Sequence, residues 1–229
     1  PILYNVALRV MPGEVVAIVG PSGAGKSTLV RTLVGAQRLD AGAIRFDNAE
    51  QRDWDPAQLA EQVGFMPQET TLFAGSIKDN ISRFAHWSPG ATEDVDAKAI
   101  DAARQAGVHD LILQLPDGYD TRLGPGGAGL SGGQSQRIAL ARAFYGDPAI
   151  LVLDEPNAFL DAEGEAALMN AMKIARDRGA MVLIIAHRRS VLEMADHLLV
   201  LEAGRPKMYG PAQEVVARLS APQGQEQAS

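Results

Sequence analysis

Three observations predict an α/β domain built around a parallel sheet. Short, β-branched apolar runs recur at residues 15–19, 149–153, 180–185 and 197–201, each the length of a buried strand. Helical patterns such as residues 164–178 separate them, and that alternation implies parallel strands joined by right-handed crossovers. The composition agrees: 46% apolar content is ample for one core, while 5% aromatics with 23 Gly and 13 Pro suit a loop-rich α/β chain better than a β-sandwich.

Taken in order, residues 15–19 lie between Gly13 and Gly20 and are apolar throughout, as a strand covered on both faces requires. A helix follows over residues 28–34. Residues 43–46 alternate after Gly42 and predict a short strand; residues 63–66, stopped by Pro67, predict another. The middle differs. Residues 92–106 are acidic, Ala-rich and helically spaced up to Gly107, and residues 108–115 form a second helical pattern closed by Pro116. No strand pattern returns until Ala149, so a helical insertion is expected inside the α/β domain. Residues 221–229 are polar and predict a disordered tail, from residue 220 onward.

The bulk properties set limits. A net charge of -7 argues against a nucleic-acid partner, which would call for a basic face. There is no cysteine, hence no disulfide, thiolate metal site or cysteine nucleophile. No run approaches the roughly 18 apolar residues that span a bilayer, and nothing resembles a signal peptide. The chain opens Pro1-Ile2-Leu3 without a starting Met, and a membrane domain is expected upstream.

Three motifs carry chemistry. Gly20-Pro21-Ser22-Gly23-Ala24-Gly25-Lys26-Ser27-Thr28 fits the P-loop pattern and sits between a predicted strand and a predicted helix. Its glycines let backbone N–H groups curl around an anion, and the helix start adds its dipole. Lys26 would reach the outer phosphates of ATP, and the Ser27 hydroxyl would hold Mg²⁺. Residues 150–155 form a buried strand ending in Asp154 and Glu155, which puts Asp154 near the metal and Glu155 near an attacking water, within reach of the proton a general base takes. Leu130-Ser131-Gly132-Gly133-Gln134 opens a helical run that Ser131 can cap. Gly132 and Gly133 let the backbone approach a phosphate closely. Since the P-loop already serves the chain's own nucleotide, the simplest use of this second helix start is to cover the γ-phosphate bound by another copy.

The set of residues 20–28, Gln68, 130–134, Asp154-Glu155, Asp161 and His187, in that order, resembles an ABC-family nucleotide-binding domain from Pro1 to about Leu219. The resemblance implies a P-loop NTPase (RecA-like) core with a parallel-sheet centre and an antiparallel β edge, over residues 1–68 and 148–219. It implies an inserted α-helical subdomain with the LSGGQ motif over residues 69–147. Carried over by position, Gln68 senses Mg²⁺ and the attacking water, His187 contacts the γ-phosphate, and Asp161 crosses the interface of a head-to-tail, ATP-dependent dimer.

Leu72-Phe73-Ala74-Gly75-Ser76-Ile77 and Pro116-Asp117-Gly118-Tyr119-Asp120-Thr121 resemble exporter domains. Residues 126–131, 154–157 and 160–165 are similar to bacterial type I secretion ATPases of the protease and surface-protein class. That resemblance implies ATP-driven polypeptide export from the cytoplasmic face of the bacterial inner membrane, with a transmembrane domain, a periplasmic adaptor and an outer-membrane channel as partners. A multidrug or lipid exporter is the alternative. A soluble ABC ATPase acting on DNA or ribosomes lacks support, because neither a coiled-coil insertion nor a tandem ATPase domain is present. A slow-hydrolysing regulatory domain fits poorly with Glu155 and His187 both in place.

Some residues depart from the pattern or stay outside it. Family members stack adenine on an aromatic upstream of the position of Pro1, and Tyr4, sixteen residues before Gly20, is the nearest aromatic here. Phe159 stands where Ala is commoner, and Pro125 where exporters often carry Glu. His86, His109 and His197 have no ligand spacing and read as surface or packing residues. Trp54 and Trp87 lie in polar, loop-like stretches where exposed contacts are one reading.

Overall fold

The computed structural model describes residues 2–88, 94–157 and 160–220. Its sheet is formed by β1 (Val15–Val19), β4 (Val63–Met66), β7 (Ile150–Asp154), β8 (Met181–Ile185), β9 (His197–Glu202) and β10 (Arg205–Pro211). Their order across the sheet is β10-β9-β1-β8-β7-β4. All neighbours are parallel except β10, which runs antiparallel to β9 at the edge. The α/β class and the antiparallel edge are both as expected from the sequence.

Period-2 alternation divides the strand side chains between two cores. Val15, Ala17, Leu151, Leu153, Val182, Ile184, Leu198 and Val200 point to one. Ile18, Ile150, Val152, Leu183, Ile185, Leu199 and Leu201 point to the other. A sheet buried on both sides explains why its strands read as continuous apolar runs. The second face is covered by α1 (Lys26–Leu33) through Leu29 and Val30, and by α2 (Pro56–Gln62) through Leu59. Asp55 caps α2, accepting from the backbone N–H of Ala57 and Gln58, and Pro56 takes the first position, where a missing N–H costs nothing. A two-strand ribbon, β2 (Arg45–Phe46) with β3 (Ala49–Glu50), lies before α2.

The first face carries the helices of the middle segment. They are α3 (Ile77–Ile81), α4 (Val95–Gln105), α5 (His109–Leu113) and α6 (Gly132–Phe144). Val95, Ala99, Ala102 and Ala103 give α4 a buried apolar stripe, and its three alanines share a core with Ile138, Ala139 and Ala143 of α6, against which α4 packs. The remaining helices are α7 (Ala162–Asp177), α8 (Arg189–Met194) and α9 (Ala212–Ser220). Residues 168, 171, 172 and 175 of α7, spaced i, i+3, i+4 and i+7, are its buried stripe.

Two expectations need correction. The middle segment is not free of strand: β5 (Gly75–Ser76) pairs with β6 (Arg122–Leu123), a ladder too short to leave any periodicity in the sequence. Trp54 is not an exposed contact. It packs against the second core, edge-on to Phe46 with ring centroids 6.4 Å apart. Trp87, by contrast, is 79% exposed. Residues 92–93 of the expected helix, Phe159 and residues 221–229 lie outside the described residues. No described helix is long and apolar enough to cross a membrane.

Candidate functional site

The ends of β1, β4, β7 and β8 lie side by side, so the loops that leave them converge on one cleft of about 610 Å³. Residues 22–28, Gln68, Glu155 and His187 line it, with Ile2 from the start of the chain.

The P-loop is shaped by glycine where only glycine fits. Gly20 has φ 152°, and a Cβ there would stand 2.1 Å from the backbone oxygen of Leu201. Gly25 caps α1 at φ 98° without any side-chain bond, leaving the first N–H groups of that helix turned to the cleft. Lys26 is 7% exposed, and its Nζ donates to the carbonyls of Gly20 at 2.8 Å and Pro21 at 3.1 Å, which fixes the ammonium within the arch.

Asp154, the last residue of β7, is 1% exposed, and neither of its carboxylate oxygens has a hydrogen-bond partner. Burial pushes its pKa up; the neighbouring Ser27 hydroxyl pulls the other way without completing a bond. An orphaned pair of carboxylate oxygens next to a hydroxyl is a set of hard oxygen donors, which suits a Mg²⁺ ion.

Glu155 follows in the left-handed region, φ 51°, and its N–H donates to the carbonyl of Ile185 at 3.0 Å. That strained turn swings the side chain off the strand and into the cleft. Gln68 Nε2 donates to Glu155 Oε2 at 3.0 Å, and His187 Nε2 lies 3.4 Å from Oε1. One carboxylate oxygen is therefore hydrogen-bonded and the other closely approached, by residues that follow β4 and β8, the strands that flank β7.

Other predicted residues lie elsewhere. Ser131, Gly132, Gly133 and Gln134 form the N-terminus of α6 and do not line the cleft of their own chain. Ser131 and Gln134 make a reciprocal capping box, at 3.2 Å from Gln134 N–H to Ser131 Oγ and 2.9 Å from Ser131 N–H to Gln134 Oε1. Asp161 caps α7 by accepting from Gly164 N–H at 2.8 Å and meets Arg137 of α6 at 2.5 Å. It too lies outside the cleft. Tyr4 carries Arg205 over its ring at 4.6 Å rather than lining the cleft. Ile2, which does line it, was missed. No motif marks it, because its place depends on a backbone bond from Tyr4 N–H to Gly204 O at 2.8 Å, across the molecule.

The described histidines outside the cleft pack or pair: His86 with Asp96 at 2.8 Å, His109 with the Tyr119 hydroxyl at 2.8 Å, and His197 stacked on Tyr209. A second cleft, about 420 Å³ and lined by Lys78, His86, Asp96 and Asp120, is occupied with its own ion pairs. Lys78 reaches Asp120 at 2.8 Å and Asp96 at 3.5 Å, so little charge is left for a ligand.

A glycine-framed phosphate loop at a helix start, with a strand-end carboxylate pair behind it, defines a P-loop ATP-binding domain. The pattern of the family described as ABC transporter matches residues 3–158. The chain belongs to that family, whose ATP-binding domains hydrolyse ATP. It is 46% identical over 223 residues to the "Type I secretion system ATP-binding protein PrsD" of Rhizobium meliloti (strain 1021), covering 97% of this chain and 37% of that protein. It is 45% identical over 215 residues to the "Cyclolysin secretion/processing ATP-binding protein CyaB" of Bordetella pertussis (strain Tohama I), covering 94% and 29%. Among solved structures, a bacterial Atm1-family ABC exporter with ATP bound superposes with a TM-score of 0.83 at 35% identity, covering 100% of this chain and 40% of that one. The chain thus spans about a third of the length of these proteins. The predicted resemblance is borne out.

Proposed function

We propose that this chain is the motor domain of an ABC exporter that moves polypeptides across the bacterial inner membrane, working from its cytoplasmic face as half of a head-to-tail pair. The observation that carries the catalytic reading is the convergence of Gln68 and His187 on the two carboxylate oxygens of Glu155 in the P-loop cleft.

In this reading residues 20–28 bind the triphosphate through backbone N–H groups, and Lys26 offsets the charge of its outer phosphates. Ser27, Asp154 and Gln68 would hold Mg²⁺, which when bound neutralises charge across the phosphates. Glu155 orients the attacking water and takes its proton, while Gln68 and His187 fix the plane of its carboxylate. Residues 131–134 and Asp161, which lie outside the chain's own cleft, serve the nucleotide held by the second copy. Residues 1–68 and 148–219 form the ATP-binding core and residues 69–147 the helical subdomain, a division supported by the packing of α3, α4 and α6 on one another.

Polypeptide cargo, a transmembrane domain, a periplasmic adaptor and an outer-membrane channel follow from the likeness to proteins named for type I and cyclolysin secretion. The ATPase part is tested by phosphate release from Glu155→Gln: turnover should fall at least a hundredfold with ATP binding kept, and near-normal turnover overturns the role of Glu155. The cargo class is tested by the same substitution in the full-length gene. Polypeptide secretion should stop; intact secretion with a lost small-molecule efflux would move the protein to the multidrug or lipid class.

A further inference from the structure

His187 does not hold itself in place. Its side chain is 55% exposed and approaches Glu155 at 3.4 Å. Residues 186–188 belong to neither β8 nor α8. Arg188 caps α8 without a side-chain cap bond, so the helix start does not anchor the segment either.

What anchors it is a carboxylate from elsewhere. Glu165, in the first turn of α7, accepts from Ser190 Oγ at 2.7 Å through one oxygen and from Arg188 Nη1 through the other. The partners lie one and three residues beyond His187, on the side away from the buried Ala186. The chain is therefore held at Ala186 by packing and at Arg188 and Ser190 by Glu165, leaving His187 between two fixed points. These bonds favour the ionised carboxylate, the Ser190 hydroxyl most strongly, and hold the Glu165 pKa below the usual range.

We propose that Glu165 is a positioning residue for hydrolysis: by gripping Arg188 and Ser190 it fixes the 186–188 segment so that the His187 imidazole stands against Glu155 at the cleft. Glu165 shares α7 with Asp161, which caps that helix and is tied to Arg137 of α6. One helix thereby connects the Ser131 end of α6 with the histidine of the chain's own cleft. The inference rests on the reading of His187 and Glu155 given above.

The test is a double-mutant cycle on the purified chain, with Glu165→Ala, His187→Ala and the pair, measuring kcat and KM for MgATP and ATP affinity separately. Loss of the grip should lower kcat about tenfold to a hundredfold, the scale of an ångström-sized misplacement. ATP affinity should change by less than about threefold. In the His187→Ala background, Glu165→Ala should then cost nothing more, because its effect passes through the imidazole. Equal losses in both backgrounds, or full kcat in Glu165→Ala, would overturn the proposal. Should Glu165→Ala fail to fold, the nearly isosteric Glu165→Gln is read the same way. It keeps an acceptor for Ser190, loses the charge facing Arg188, and should fall between wild type and the alanine loss. Wild-type turnover in His187→Ala alone would instead sink the reading of the site, a separate result.

Discussion

Gln68 and Glu155 lie 87 residues apart in the chain, yet the amide of one donates to the carboxylate of the other at 3.0 Å. The bond forms because β4 and β7 are parallel neighbours, Met66 opposite Leu153, so the two residues leave the sheet at the same end of their strands. His187 arrives on the other side because β8 pairs with β7, Asp154 opposite Ile185. The Glu155 carboxylate is thus set by three adjacent strand ends.

Removing one hold should slow chemistry more than binding. Gln68→Ala leaves Glu155 with His187 alone, and kcat is expected to fall roughly tenfold to a hundredfold. ATP affinity, measured without turnover in Glu155→Gln as background, should hardly change, because the P-loop makes the phosphate contacts. Equal weakening of kcat and affinity would mean that Gln68 acts mainly through binding.

The P-loop prediction concerns space. A methyl group at Gly20 would meet the Leu201 oxygen at 2.1 Å, and φ 152° disfavours any side chain. Gly20→Ala must shift the loop or β9, at a cost of roughly 2–4 kcal/mol. Thermal unfolding should drop by about 5 °C or more, with loss of nucleotide binding. A variant that melts like wild type and binds ATP normally would refute this account of the loop.

Ser131→Arg tests the proposed site shared between two copies. The substitution removes the cap of α6, worth about 1 kcal/mol, and places a bulky cation where the second copy's nucleotide would lie. Hydrolysis and ATP-dependent dimerisation should be lost while each monomer binds nucleotide as before, since residues 131–134 do not line their own cleft. Sedimentation with and without ATP reads the outcome, and an unaltered dimer with unaltered turnover would count against a shared site.

Much of this was legible in the sequence because it is local chemistry. Gly20 and Gly25 between an apolar run and a helix pattern announce a phosphate loop, since the turn, the N–H groups and the helix start come from nine consecutive residues. Asp154 and Glu155 announce themselves at a strand end for the same reason. Ser131 and Gln134 spell their capping box at a spacing of three. Other parts left no signal. The ladder between Gly75–Ser76 and Arg122–Leu123 is two residues long, and the burial of Trp54 depends on Phe46 arriving from the β2–β3 ribbon.

The sequence alone determined the strand and helix periods, the glycine-framed loop and the identity of the charged groups, because each is written in neighbouring residues. Only the tertiary structure decided that Gln68 and His187 share the oxygens of Glu155, that Glu165 grips Arg188 and Ser190, and that Ile2 reaches the nucleotide cleft. Those contacts depend on strand order and helix packing, which bring together side chains that no local spacing relates.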